Sequence, residues 1–104
     1  MELTEGIYGR KIRVSDERLA HIAASHPEMK DQITKIEETL KLPDEVVESN
    51  TDSNVELYYR KYTHTLVGEK YLCVLLKVRE NDVFMLTAYF TDTIKKGLTI
   101  WKKK

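Results

Sequence analysis

This chain is short of cysteine, proline and glycine, and it has no net charge. Of its 104 residues one is Cys, two are Pro and four are Gly, and 17 Lys/Arg balance 17 Asp/Glu. A single cysteine excludes an internal disulfide. So few glycines and prolines exclude collagen-like and low-complexity classes, and 41% hydrophobic with 33% charged residues is ordinary globular composition. No apolar run approaches the roughly 20 residues of a membrane span, and "MELTEGIYGRK" lacks the apolar stretch of a signal peptide. The expectation is one cytosolic domain, residues 1–104, with no membrane partner. Zero net charge argues against a strong non-specific grip on nucleic acid.

The distribution of charge says more. Residues 1–56 hold seven Lys/Arg against thirteen Asp/Glu, and residues 57–104 hold ten against four. Either the C-terminal half builds a basic surface, or the excess is chance plus the lysine tail of "LTIWKKK". Trp101 is expected to dock at a sheet edge, with the lysines in solvent.

Ser15 is a good N-cap, Asp16 and Glu17 put negative charge in the first turn, and Val14 can staple onto Leu19. A helix is expected from Asp16 to Ser25 or His26, because Pro27 disfavours helical geometry in the residue before it. Pro27 can open a second helix carrying Met29, Ile33, Ile36 and Leu40 as one apolar stripe. The period then changes to two. "EVVES", "VELYYRKY", "KYLCVLLKV" and "VFMLTAYFT" read as strands joined by turns. The expected fold is α+β, with two N-terminal helices packed on one face of a four-stranded antiparallel sheet.

Such a sheet alternates core and solvent positions. Val55, Leu57 and Tyr59, then Leu72, Val74, Leu76 and Val78, then Phe84, Leu86, Ala88 and Phe90 are expected against the helices. The other face would collect Glu56, Tyr58, Arg60, Tyr62, Tyr71, Cys73, Lys77, Arg79, Thr87 and Tyr89. Aromatic rings among cations are what stacking on bases and neutralising phosphates need. The same residues also suit a plain solvated face. Cys73, in an apolar strand, reads as a small buried hydrophobe.

His21 and His26 are five residues apart, about 140° around a helix, so they do not form the four-spaced pair of a zinc site. No metal and no cofactor is expected. Taken alone, His26 suits a helix terminus and His21 a solvated surface. His64 falls in a polar stretch read as a loop.

The stretches "HIAASHPEM", "LPDEVVES", "VELYYRKY" and "LTAYFTDT…KKG" together resemble the phage and bacterial nuclease group related to barnase, EndoU, colicin-type RNases and RelE-like toxins, from about Asp16 to Trp101. The resemblance implies a metal-independent endoribonuclease whose active site lies on the open sheet face. It implies catalytic roles for His21, His26, Arg60, Lys77, Thr87 and Tyr89, with Glu56 an alternative base, and substrate contacts from Tyr58, Tyr62, Tyr71 and Arg79. RNA is the implied partner, with an antitoxin or immunity protein as restraint. Ser25 stands where the group leads one to expect an arginine, and the chain is neutral where RNA-cutting toxins are commonly basic. A member that binds RNA or a protein without cutting is therefore the alternative.

Overall fold

Seven strands form one curled sheet, and two helices pack on one of its faces. The computed structural model describes residues 2–104. In chain order these are β1 (Glu2–Glu5), β2 (Lys11–Val14), α1 (Asp16–Ser25), a one-turn 3-10 helix (Pro27–Met29), α2 (Ile33–Lys41), β3 (Glu45–Glu48), β4 (Val55–Thr65), β5 (Gly68–Arg79), β6 (Asp82–Thr91) and β7 (Leu98–Lys102). The sheet order is β1-β2-β6-β5-β4-β3-β7. Every pairing is antiparallel except β2 with β6, which run parallel over Ile12–Val83 and Arg13–Phe84.

The expected four-stranded antiparallel sheet behind two N-terminal helices is thus corrected to a seven-stranded mixed half-barrel. A hairpin precedes the helices, and a seventh strand extends the far edge through β3. "ELTE" has one apolar residue in four, and "KIRV" alternates over only four residues, the shortest run that carries a period-two signal. Trp101 does lie on an edge strand, β7, and packs against the main core.

α1 starts where the capping chemistry predicts. Ser15 Oγ accepts a hydrogen bond from Arg18 N at 3.1 Å, and Val14 and Leu19 both pack into the core. The helix stops at Ser25, and the His26 N–H closes it onto the Ile22 carbonyl. The second helix begins at Ile33 rather than Pro27, because Asp31 sits at φ 61° and breaks the turn that Pro27 opens. Ile36 and Leu40 are buried, as their spacing requires.

The sheet has a core on each face. Ile22, Met29, Ile36 and Leu40 from the helical segment meet Val46, Tyr58, Leu72, Val74, Leu76, Val83, Met85 and Ala88. On the opposite face Val47, Val55, Leu57, Tyr59 and Cys73 form a second cluster, joined by Leu75, Leu86, Tyr89 and Ile94. The 92–97 connection lies over this second face. It must travel from β6 to β7, on the far side of β5, β4 and β3. Lys95 N donates to the Tyr59 hydroxyl at 3.1 Å, and Asn50 Nδ2 to the Lys96 carbonyl at 2.9 Å.

Two face assignments are therefore corrected. In β5, Leu72, Val74 and Leu76 do face the helices. In β4 the sets are exchanged: Tyr58 and Tyr62 pack in the helix-side core, and Val55, Leu57 and Tyr59 in the other. With both faces covered, alternation no longer distinguishes inside from outside. In β6 the register shifts between Leu75 and Leu76, leaving Leu86 as the extra residue of a bulge. Val83 and Met85 precede it on the helix side, and Ala88 lies there after it.

Candidate active site

The bulge decides where Tyr89 points. Strict alternation from Val83 and Met85 would send Thr87 and Tyr89 toward the helices. The extra residue returns them to the helix-free face, where Thr87 pairs with Leu75 and Tyr89 with Cys73. β2 covers β6 only at Val83 and Phe84, so beyond Phe84 the edge of β6 away from β5 has no strand beside it. α1 and the 3-10 turn pack there instead. This brings the His26 ring to 5.8 Å from the Tyr89 ring, centroid to centroid, tilted by 39°. The half-exposed His26 places Nδ1 3.5 Å from a Glu28 carboxylate oxygen, a second group able to orient the imidazole.

Behind Tyr89 runs a polar thread through the second core. The Tyr89 and Tyr59 hydroxyls both lie near enough to act on the Cys73 thiol, and the Tyr59 hydroxyl accepts from Lys95 N. Burial, reinforced by Cys73, pushes Tyr89 up to about 12. Burial also pushes the Cys73 thiol up to about 11 and raises Tyr59 well above the usual phenol range. All three keep their protons at neutral pH, so Tyr89 is a hydrogen-bond donor rather than a base, and Cys73 is no nucleophile. The Lys95 ammonium lies near enough to act electrostatically on Cys73.

The other expected residues divide between the two faces. Tyr71 is on the helix-free face, edge-on to Tyr59 at 6.4 Å, with Lys61 Nζ 5.8 Å from its ring. Lys77 is there too, but its Nζ is 2.5 Å from Asp52 Oδ2, which holds the Asp52 carboxyl below the usual range. Arg79 is exposed at the far end of that face, 5.5 Å from the Phe84 ring that also carries Arg13 at 5.0 Å.

Tyr58, Arg60, Tyr62 and Glu56 are not on that face. Arg60 Nη1 donates to the Leu42 carbonyl at 2.6 Å and its Nε lies 3.5 Å from Glu38, so it secures the end of α2. The Tyr62 hydroxyl donates to Glu38 at 2.6 Å. Buried Tyr58 joins Arg10 and Glu56. His21 is exposed on α1 and lines a separate depression of about 420 Å³ with Arg13, Ser15, Glu17 and Arg18. His64 lies within β4, not in a loop, and is exposed.

Comparison with protein-family models, curated proteins and solved structures finds no match.

Two contributors are not legible in the sequence: Tyr59, expected on the helix side, and Lys95, in a loop; Cys73 is the buried thiol its apolar strand predicts. The run of lysines before Gly97 was visible, but nothing in it says that the segment crosses the sheet. Gly97 is the clue in retrospect. A Cβ there would stand 2.5 Å from the Glu48 carbonyl oxygen and 2.6 Å from Val47 Cγ1, so only glycine lets the crossover lie this close to β3. Among the described residues no three His, Cys, Asp or Glu side chains gather as a metal site would need.

Proposed function

We propose that this protein is a metal-independent endoribonuclease acting at the His26–Tyr89 corner of the helix-free face. The observation that carries this reading is the 5.8 Å approach of His26 to Tyr89, two of the six residues that the resemblance implies as catalytic, from separate parts of the chain. Imidazole is the side chain best suited to exchange protons near neutral pH. His26 takes the proton of the RNA 2′-hydroxyl, the 2′-oxygen bonds to the adjacent phosphorus, and the bond to the 5′-oxygen breaks. The products are a 2′,3′-cyclic phosphate and a 5′-hydroxyl, which regains the proton. Tyr89, protonated to about pH 12, donates a hydrogen bond to an oxygen of the charged intermediate, and Lys95 neutralises part of that charge. Thr87 offers a further donor on the same face.

The protein partner of such an enzyme is an antitoxin or immunity protein, and its place is the cytoplasm, where Cys73 stays reduced. Among the described residues no helix is long and apolar enough to cross a membrane. The pairing of Lys77 with Asp52 favours a second reading, an RNA-binding module that does not cut, because it withdraws one expected cation from the phosphate.

Incubation with mixed-sequence single-stranded RNA in EDTA tests both. Cyclic-phosphate ends, lost by about a hundredfold or more in His26→Ala and retained in His21→Ala, support the nuclease. Intact RNA that nonetheless binds with salt-dependent affinity supports the module.

A further inference from the structure

We infer that the groove between the 49–52 loop and the 95–96 segment holds a nucleobase next to the reacting phosphate. The inference rests on the reading that the helix-free face takes RNA, and it adds where one base goes. The groove encloses about 500 Å³, and its floor is apolar, including Leu57, Leu75 and Leu86. The rest of its lining is polar and includes Asn50, Lys95 and Lys96, together with Asp52, whose carboxylate is held by Lys77. Among the described residues neither Lys95 nor Lys96 has a carboxylate within ion-pair distance. An apolar slot with free cations along one side fits a ligand with a flat apolar body and an anionic end. A nucleotide is that ligand.

Register places the slot relative to the catalytic corner. Leu57, Leu75 and Thr87 form one cross-strand row, and Tyr59, Cys73 and Tyr89 the next. Two residues along a strand is about 7 Å, so a base over Leu75 has its backbone within reach of Tyr89 and Lys95. Asn50 spends one of its two amide N–H donors on the Lys96 carbonyl, which leaves the other N–H and its Oδ1 for the base edge.

The test is methyl NMR on the intact protein with labelled leucine and valine. The probes are an equimolar mixture of the four ribonucleoside 5′-monophosphates and, separately, ribose 5-phosphate at the same concentration. The nucleotides are expected to move the Leu57, Leu75 and Leu86 methyls by ring current while ribose 5-phosphate leaves them in place. Lys95→Ala with Lys96→Ala should weaken that response roughly tenfold, the loss of two charge contacts. Methyls that ignore nucleotides, or that respond equally to ribose 5-phosphate, overturn the subsite. Nucleotide-specific shifts in a protein that leaves RNA intact uphold the subsite while the nuclease reading falls. Cleaved RNA with unmoved methyls removes the subsite alone.

Discussion

Arg10 and Glu56, 46 positions apart in the chain, meet at 2.5 Å, and the Tyr58 hydroxyl bonds to both at 3.1 Å. The contact ties the turn between β1 and β2 to the middle of the sheet, because Arg10 lies at that turn and Glu56 on β4. Glu56 is 13% exposed and Arg10 28%, so the pair is largely withdrawn from water. Burial and the Glu56 carboxylate together raise Tyr58, which keeps its hydroxyl proton for Glu56. Glu56→Gln leaves Arg10 without its counter-charge. It is expected to cost about 1–3 kcal/mol in urea unfolding, with the native spectrum preserved.

Gly97→Ala tests the crossover. The added methyl meets the Glu48 carbonyl and Val47 with no flexible side-chain tip to give way. A loss of about 1–3 kcal/mol is expected in denaturant unfolding. Gly9→Ala is the informative comparison, since a Cβ there meets nothing within 4 Å and only its φ of 72° is unfavourable, a cost of about 1–2 kcal/mol.

Alkaline pH should unfold this protein through its second core. Cys73 rises from an ordinary 9.0 to about 11 and Tyr89 from 10.0 to about 12. In both cases the unfolded state ionises first, so the stabilisation is complete below the unfolded value. It is lost as pH climbs from about 9 through 12. Thermal unfolding followed over that range is expected to show a falling midpoint, and Tyr89→Phe should flatten the upper part of the fall. Partial exposure limits the Tyr89 contribution to roughly 1–2 kcal/mol.

Arg60→Ala separates support from chemistry. Its guanidinium serves the Leu42 carbonyl and Glu38 on the helix side, away from the His26–Tyr89 corner. Stability is expected to fall by about 1 kcal/mol while RNA cleavage by the remaining folded protein is unchanged. A large loss of cleavage at full stability would place the active site on the helix face instead.

Some of this was legible residue by residue. Ser15, Val14 and Leu19 announce the start of α1, and Pro27 its end, because capping and steric restriction act within a few residues. Leu72, Val74 and Leu76 announce their common face for the same local reason. His26 and Tyr89 each belong to the pattern that carries the resemblance, though nothing in the sequence says they touch. The exchange of faces in β4 was not legible, since Tyr58 and Tyr59 are both buried, one in each core, and either parity of the strand is apolar.

What the sequence determined by itself is the set of local structures: where α1 begins and stops, where period-two segments run, and the supply of one thiol, three imidazoles and a balanced charge. Tertiary structure decided which faces those segments present. The strand order left the end of β6 open to His26, the bulge at Leu86 turned Tyr89 toward Cys73, and the crossover at Gly97 covered a face that alternation would have left wet. Short-range sterics and capping depend on neighbours in the chain. Sheet order, bulges and crossovers depend on which distant segments pack together, and that is settled only when the whole core is assembled.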